Sequence, residues 1–391
     1  MPETWNSPTR VPAAKRLLAA ALALPLCATA LLAVAAAPAR AASGPTASVS
    51  LGDSYISGEA GRWMGNSDTS SGDRAGTDLA WNGSGYDPSL VYGSTYASGC
   101  DRSNSAEVTG ATGIAQTSIN LACSGATTAD VFRAVDGGQS YKGEAPQADQ
   151  LATVAAQNRV QLITLSIGGN DLAFGSVIQT CAEDWLIYDS YCHDTEQAAV
   201  DAKMATAMAN VGKSIDEIRA AMAGDGYSPS SYRIVLQSYP SPIPRSSENR
   251  YPETGWTRES EGGCPFWNAD SDWARDSLVP EISDNLAAVA ASHGVQFLDL
   301  RDFLQGREVC STATQLATPG AGPSATTSEW ARFLDAGLST QGTTQESMHP
   351  NYYAQLGLSR CLSLLWAQQS GDFACRNTPG EDASGMYLTA S

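Results

Sequence analysis

The chain has 391 residues, of which 42% are hydrophobic and 16% are charged, so it has enough apolar surface for a core and is not wholly disordered. It carries 41 acidic residues against 23 Lys and Arg, a net charge of -18, which excludes nucleic acid as a partner because Lys and Arg supply phosphate binding. The length allows one large domain or two domains of ordinary size.

Residues 1–41 have the features of a secretory signal peptide. Three basic residues precede an apolar run at 17–37, and small residues follow up to a cleavage position after Ala41. The run is also long enough to cross a membrane, but its many alanines and the Ala-x-Ala ending favour cleavage. Cleavage removes four basic residues and one acidic residue, which leaves 19 basic and 40 acidic residues and a net charge of -21. We therefore expect a secreted protein with no integral membrane segment.

The rest of the chain alternates between two kinds of pattern. Short apolar runs predict strands at 46–51, 159–167, 232–236 and 295–300. Apolar residues at 3- and 4-residue spacing predict helices at 196–223, 273–292 and 352–368. Because strands that alternate with helices pair in parallel, this order predicts an α/β domain with a buried parallel sheet.

Three long segments interrupt the alternation, at 59–99, 238–280 and 305–348. Segments of this length inside a compact domain are usually functional or disordered. No linker or internal repeat divides the chain, so we predict a single domain over residues 42–391. The tail after Cys375 is predicted to be irregular.

The cysteines indicate disulfide bonds. An even number remains after signal cleavage, namely Cys100, Cys123, Cys181, Cys192, Cys264, Cys310, Cys361 and Cys375. Exported thiols are oxidised, and eight cysteines allow 105 pairings, among which we favour the sequential one. The chain has three histidines and neither a Cys-x-x-Cys nor a His-Glu-x-x-His motif, so no metal or cofactor is expected.

Two predicted strands end in short polar motifs, Gly-Asp-Ser-Tyr at 52–55 and Gly-Gly-Asn-Asp at 168–171. Functional sites of α/β sheets lie beyond the carboxyl ends of the strands. Ser54, directly after a strand and a glycine, is therefore the candidate nucleophile. An attacked carbonyl acquires negative charge, which the Asn170 amide and the backbone N–H groups near Ser54 and Gly125 can stabilise.

A nucleophilic serine needs a base, because its hydroxyl is barely ionised at neutral pH. His193 lies in a loop beside a cysteine, and His293 ends a helix, where the helix dipole favours a cation. Both therefore have structural interpretations. His349 precedes the last helix in a loop where no packing role is evident, so it is the candidate base. The alternative for His349 is a helix-capping or solvent-exposed residue.

In their order along the chain, these motifs resemble the four blocks of the SGNH hydrolases, also called GDSL esterases and lipases. The blocks are the motif at 52–55, Gly125, the motif at 168–171, and His349 with Pro350. The resemblance is closest to the secreted actinomycete branch and covers residues 46–370. It implies a flavodoxin-like three-layer α/β/α fold with a central parallel sheet, and hydrolysis of carboxylic esters without a metal.

The resemblance also implies roles for individual residues. Ser54 would be the nucleophile and His349 the base, and the oxyanion site would consist of the Ser54 N–H, the Gly125 N–H and the Asn170 side chain. Secreted relatives usually have three disulfides, spaced like Cys100–Cys123, Cys181–Cys192 and Cys264–Cys310. A Cys361–Cys375 bond would be an addition to that set.

The carboxylates near these motifs leave two alternatives open. Family members often have Asp three residues before the histidine, where this chain has Glu346. Either the Glu346 carboxylate orients and charge-stabilises His349, or it points away and the backbone carbonyl of residue 346 accepts the imidazole proton. Asp53 and Asp171 adjoin the site and are expected to hold turns by accepting local N–H groups.

The expected activity is hydrolysis of acyl esters through a Ser-His centre and an acyl-enzyme, on a small-molecule or lipid ester, by a monomer. Alternatives are a carbohydrate or natural-product ester hydrolase, an acyltransferase, or a non-catalytic secreted binding protein. The acidic surface disfavours anionic phospholipids. Aromatic residues of the first long segment either line an acyl or sugar site or pin the segment to the body: Trp63, Trp81, Tyr86, Tyr92 and Tyr96.

Overall fold

The computed structural model describes residues 44–67, 74–335 and 340–391, and the predicted signal peptide lies outside these ranges. A seven-stranded sheet forms the centre, in the order β2-β1-β3-β4-β5-β6-β7. Its strands are β1 (Thr46–Gly52), β2 (Thr117–Asn120), β3 (Arg159–Ser166), β4 (Arg233–Gln237), β5 (Gln296–Asp299), β6 (Phe373–Arg376) and β7 (Tyr387–Ala390). The first six are parallel, and β7 is antiparallel to β6.

Helices cover both faces of the sheet. Those in the described residues are α1 (Ser54–Ser57), α2 (Ser89–Tyr92), α3 (Thr95–Ser98), α4 (Glu107–Gly110), α5 (Thr128–Val131), α6 (Gln147–Gln157), α7 (Phe174–Leu186), α8 (His193–Gly224), α9 (Thr257–Ser260), α10 (Asn268–Trp273), α11 (Val279–His293) and α12 (Tyr352–Trp366). Every residue of β1 is buried, as expected for a strand with helices on both sides. Within these layers α8 packs against α6 and α11, while α12 packs against α4.

The predicted three-layer α/β/α fold with a central parallel sheet is confirmed. The four predicted strands correspond to β1, β3, β4 and β5, and the three predicted helices to α8, α11 and α12. A π-helical turn at Ala274–Leu278 lies inside the predicted 273–292 helix and leads directly into α11. None of the described helices is long and apolar enough to cross a bilayer.

Three strands were not predicted, β2 and β7 at the edges and β6 beside β7, and the prediction of an irregular tail is wrong. The tail after Cys375 completes β6 and then pairs β7 with it over four residue pairs. Edge strands are short and half-exposed, so they lack the apolar run that identifies a central strand. At the other edge, β2 also lacks an apolar run: its sequence is Thr-Ser-Ile-Asn, and none of its residues is buried.

The long segments are attached to the body by buried groups. In the first of them Trp63 and Tyr92 are buried, so these two pin the segment, while Trp81, Tyr86 and Tyr96 are about half exposed. The eight cysteines of the described residues form four disulfides between sequential pairs, the arrangement favoured from the sequence: Cys100–Cys123, Cys181–Cys192, Cys264–Cys310 and Cys361–Cys375.

Candidate active site

The turn after β1 presents Ser54 at the carboxyl edge of the sheet. Gly52 has φ 137, and a side chain there would place its Cβ 1.9 Å from the Ser166 carbonyl oxygen, so only glycine fits. The Gln147 side chain bonds both backbone groups of Gly52, accepting from its N–H at 2.7 Å and donating to its carbonyl at 2.8 Å. Asp53 caps α1 by accepting the Tyr55 N–H at 3.1 Å, and Ser54 is the first residue of that helix.

Ser54 and His349 lie 295 positions apart in the chain and meet at this edge. The Ser54 Oγ is 2.7 Å from His349 Nε2, and His349 Nδ1 is 2.8 Å from the Ser347 carbonyl oxygen. Burial lowers the pKa of His349 to about 4, and the carbonyls of Ser347 and Glu346 only partly offset this. The imidazole is therefore neutral at pH 7, with Nδ1–H donating to Ser347 and Nε2 accepting from the serine hydroxyl.

The hypothesis that the Glu346 carboxylate orients His349 is wrong. Within the described residues that carboxylate accepts the Tyr92 hydroxyl at 2.8 Å and the Thr343 N–H at 3.1 Å, and it lies 3.7 Å from Arg62. Glu346 thus closes the capping box of the short 3₁₀ turn Thr344–Glu346. The principal acceptor for Nδ1 is a backbone carbonyl, as the second alternative held, but it belongs to the residue after Glu346.

Two tyrosines to which the sequence analysis gave no role support the Ser54–His349 pair. The Tyr55 hydroxyl donates to the Met348 carbonyl at 2.9 Å, and its ring lies 4.8 Å from the imidazole ring of His349. The Tyr239 hydroxyl donates to Asp53 at 2.5 Å and accepts the Gly169 N–H at 3.1 Å, so it links both motif turns. Tyr55 could have been found as the last residue of the first motif, whereas no sequence signal indicates Tyr239.

Of the two motif carboxylates, Asp53 holds its own turn, as predicted, whereas Asp171 bonds a helix start 43 positions away instead of a local N–H group. Burial raises the pKa of Asp53 to about 7, and its bonds from Tyr239 and the Tyr55 N–H only partly offset this. Asp171 accepts the backbone N–H of Thr128 at 3.0 Å at the start of α5. Neither carboxylate contacts His349 in the described part of the chain.

The predicted oxyanion residues differ in whether they line the cavity beside Ser54. Asn170 and Ser54 line the same cavity, and Asn170 Nδ2 donates one hydrogen to the Ala126 carbonyl at 2.9 Å, which orients the amide. Gly125, with φ 82, immediately precedes Ala126 but is not among the described residues that line the cavity. An added Cβ at Gly125 would lie 2.6 Å from Tyr141 Oη, so the position requires glycine.

A buried polar network fixes the loop that carries Gly125. The Ser124 hydroxyl donates to the Glu59 carboxylate and accepts from Gln345 Nε2 at 2.9 Å. Lys142 Nζ donates to the Ser124 carbonyl at 2.7 Å. Burial raises the pKa of Glu59 well above its usual range, and the nearby Lys142 ammonium opposes this. The network was not predicted, because its members are far apart in the sequence.

A cavity of about 720 Å³ opens beside Ser54 and His349, within the size range of small-molecule sites. One wall is α7, whose apolar residues on this side recur every fourth position as Phe174, Ile178, Ala182 and Leu186. Polar side chains are present as well, among them Gln179, Glu183, Thr344 and Gln345. The space can therefore hold an elongated apolar group that ends at the serine.

The other two histidines have structural contacts, as their interpretation predicted. His193, the first residue of α8, has its Nδ1 2.6 Å from Asp270. His293, in the last turn of α11, has its Nδ1 3.2 Å from Asp216. Across the described ranges, one group of potential metal ligands lies close together, Cys181, Cys192 and Asp270. The two cysteines of that group are bonded to each other, so it offers no thiolate.

The chain is similar to known esterases and lipases. It resembles the extracellular lipase of Streptomyces rimosus (20% identity, 79% of this chain and 94% of that chain, TM-score 0.43) and phospholipase A1 of Streptomyces albidoflavus NA297 (20% identity, 80% and 95%, TM-score 0.42). A carbohydrate acetylesterase from Sinorhizobium meliloti is more distant (12% identity, 65% and 83%, TM-score 0.30). No curated protein sequence matches the chain significantly. The model of the GDSL-like Lipase/Acylhydrolase family matches residues 50–351, from the strand before Ser54 to just past His349, and the chain therefore belongs to this family of ester hydrolases.

Proposed function

We propose that the protein is a secreted serine esterase or lipase that hydrolyses acyl esters through Ser54 and His349. The observation that carries the proposal is the 2.7 Å contact between Ser54 Oγ and Nε2 of a neutral, half-buried His349 in the wall of an accessible cavity. Four disulfides support export, because such bonds persist in oxidising compartments.

In the first half-reaction, His349 Nε2 accepts the proton of the Ser54 hydroxyl while Oγ attacks the ester carbonyl carbon. The tetrahedral intermediate collapses, the bond to the alcohol oxygen breaks, and the imidazolium donates its proton to that leaving oxygen. Water then attacks the acyl-enzyme with His349 again as base. The carboxylic acid leaves, and the proton returns to Ser54.

The imidazolium that forms in each step is stabilised by the Ser347 carbonyl, which accepts the Nδ1–H at 2.8 Å. A carbonyl dipole does this without a full negative charge, so the centre operates as a Ser-His dyad. The low pKa of His349 keeps the resting base unprotonated, which suits hydrolysis at neutral and mildly acidic pH.

The oxyanion would be held by the Ser54 N–H and by the Asn170 amide. Asn170 Nδ2 donates one of its two hydrogens to Ala126, which aims the amide. The Gly125 N–H is proposed as a third donor, since the network around Ser124 fixes this loop beside the site. Losing one such donor typically costs about 100- to 1000-fold in rate.

The apolar wall of α7 favours an ester of an aliphatic acid over a compact acetyl group on a sugar. Phe174, Ile178, Ala182 and Leu186 offer no hydrogen-bonding side chain along that wall. Polar residues of the same cavity, Gln179 and Glu183 on α7 and Thr344 and Gln345 elsewhere, can meet the alcohol part of the substrate.

Hydrolysis of p-nitrophenyl esters from acetate to palmitate by the oxidised mature protein tests the proposal. Ser54→Ala and His349→Ala should each abolish turnover while the fold remains. Ser230→Ala and His293→Ala, which change an exposed serine and a surface histidine, are the matched controls and should retain activity. Turnover that survives in Ser54→Ala would refute the assignment.

A further inference from the structure

A cluster of aromatic rings lies at the C-terminal end of α7. The Tyr188 ring lies 6.1 Å from the Trp256 ring and 5.8 Å from the Trp267 ring, and the Tyr191 ring lies 6.1 Å from Trp267. Trp185 lies fully buried beneath them, with its ring within 6.3 Å of both tryptophans. The rings therefore form one contiguous layer.

The outer side of this layer faces solvent. Ile187 is 69% exposed, Tyr188 51%, Tyr191 47% and Trp256 54%, and we call these four residues the α7 patch. Single exposed apolar residues are normal on a soluble protein. A contiguous group of one aliphatic and three aromatic side chains instead indicates a contact surface.

The α7 patch begins in the chain where the cavity-lining residues of α7 end. The wall residues of α7 run from Phe174 to Leu186, and Leu186 directly precedes the patch in the chain. Twelve helical steps cover about 18 Å along the helix axis. The cavity wall and the exposed rings are therefore consecutive along the same segment of the chain.

The fold holds the patch in place. The Cys181–Cys192 disulfide closes the segment that carries Ile187, Tyr188 and Tyr191. Tyr188 has φ 57, in the left-handed region that bulky residues rarely adopt, and the Asp189 N–H donates to the Asp184 carbonyl at 2.9 Å just beyond it. Rare backbone conformations persist only where the surroundings enforce them.

Acidic side chains cluster around Asp184, three residues before Ile187. The pKa of Asp184 is raised by partial burial and by the charges of neighbouring carboxylates, namely Asp189, Asp270, Glu183 and Glu196. The whole chain carries a net charge of -18. A surface of this charge is repelled by anionic lipid head groups, whereas uncharged or zwitterionic head groups exert no such repulsion.

We propose that the α7 patch docks the enzyme on a lipid–water interface of uncharged or zwitterionic lipids, from which acyl esters enter the cavity. The substrate part of this inference rests on the proposed ester hydrolysis at Ser54. Trp and Tyr favour such interfaces because each has an apolar body and a polar tip. Ile187 and the aliphatic α7 wall favour lipid over polysaccharide, whose rings would stack on aromatic faces alone.

The test measures binding separately from turnover. Ser54→Ala protein is co-sedimented with phosphatidylcholine vesicles, with and without the added changes Tyr188→Gly and Trp256→Ser. Glycine prefers the left-handed backbone found at Tyr188, and serine is a favoured N-cap where Trp256 caps α9, so both changes suit the fold. The control pair Trp81→Ser and Tyr387→Ser removes rings that are 52% and 45% exposed and that do not line the cavity.

Removal of the two patch rings should weaken vesicle binding by about tenfold or more. The control pair should bind as the parent does, and phosphatidylglycerol vesicles should bind less protein than phosphatidylcholine vesicles. With Ser54 present, the patch variant should hydrolyse soluble p-nitrophenyl butyrate normally and lose activity on vesicle-borne esters.

Equal vesicle binding by the patch variant and the control would overturn the inference. Preferential binding to acetylated xylan, or an equal loss on soluble and vesicle-borne esters, would also overturn it. Patch-dependent vesicle binding by a protein that hydrolyses no ester would instead refute the proposed function and leave the docking surface standing.

Discussion

Replacing Glu346 by Gln tests whether this carboxylate takes part in catalysis or only holds the loop that carries His349. If the carboxylate acted on His349 as the acid of a triad does, loss of its charge would lower kcat about 10⁴-fold. Its oxygens instead lie 2.8 Å from the Tyr92 hydroxyl and 3.1 Å from the Thr343 nitrogen. We therefore expect kcat to change by less than about tenfold, a barrier change below about 1.4 kcal/mol.

The same substitution should lower stability. Gln offers one acceptor oxygen instead of two, so either the Tyr92 hydroxyl or the Thr343 N–H loses its acceptor in a buried site. A buried donor without a partner costs about 1–3 kcal/mol. The free energy of unfolding should fall by about this amount, while Arg62 keeps its bonds to Asp78 at 3.0 and 2.5 Å.

The assay combines steady-state kinetics on p-nitrophenyl butyrate at pH 7 with urea unfolding. Parent protein and Glu346→Gln are compared, and His349→Ala serves as the reference for a lost base. A fall in kcat of about 10³-fold or more in a variant that unfolds at the parent's urea midpoint would refute the reasoning, since it would show that the carboxylate acts on the imidazole.

Four further outcomes are expected. Because burial lowers the pKa of His349 to about 4, kcat/KM should rise with pH to a plateau already reached near pH 6; an acid limb near 6.5 that persists in Asp53→Asn would contradict this. Asn170→Ala should lower kcat about 100- to 1000-fold with little change in KM, and unchanged kcat would remove Asn170 from the oxyanion site. No atom lies within 4 Å of an added Cβ at Gly175 in the cavity wall, so Gly175→Trp should lower palmitate hydrolysis relative to acetate about tenfold or more while Gly175→Ala does not. Burial raises the pKa of Glu107 to about 8, so its protonated form stabilises the fold fully below pH 4.5 and this contribution is lost as pH rises through 8; thermal unfolding of Glu107→Gln should lack that part of the decline.

The Ser54–His349 pair proposed to be catalytic could be predicted from the sequence because each member has a local signature. Ser54 follows a buried apolar run and a glycine, which together specify a strand and a sharp turn. His349 was identified by elimination, since the positions of His193 beside a cysteine and His293 at a helix end indicate structural roles, and both pair with carboxylates in the fold. The sheet followed from the same apolar runs.

The acceptor for the imidazole could not be predicted, because it depends on backbone geometry set by a distant residue. Met348 has φ 62, and the Tyr55 hydroxyl bonds its carbonyl at 2.9 Å from across the site. In this conformation the carbonyl of Ser347, 2.8 Å from Nδ1, is the principal acceptor, ahead of that of residue 346. Spacing in the sequence cannot distinguish the two.

Helix α7 was also missed, although it forms the wall of the cavity. Its segment contains Gly175 and several aromatic or β-branched residues, which are weak helix formers. A signal was nevertheless present, since apolar residues recur at 174, 178, 182 and 186. The polar residues between them and the short length masked this spacing.

The side-chain amide of Gln147 bonds both backbone groups of Gly52, and Gln147 is the first residue of α6. The turn that carries Ser54 is therefore attached to a helix that begins 95 positions further along the chain, and not only to its own strand. Opening the turn breaks both of these bonds, so we expect it to unfold together with the core. The Gly52 amide should accordingly exchange its hydrogen as slowly as the central strands do, unlike the mobile loops in which catalytic groups often reside.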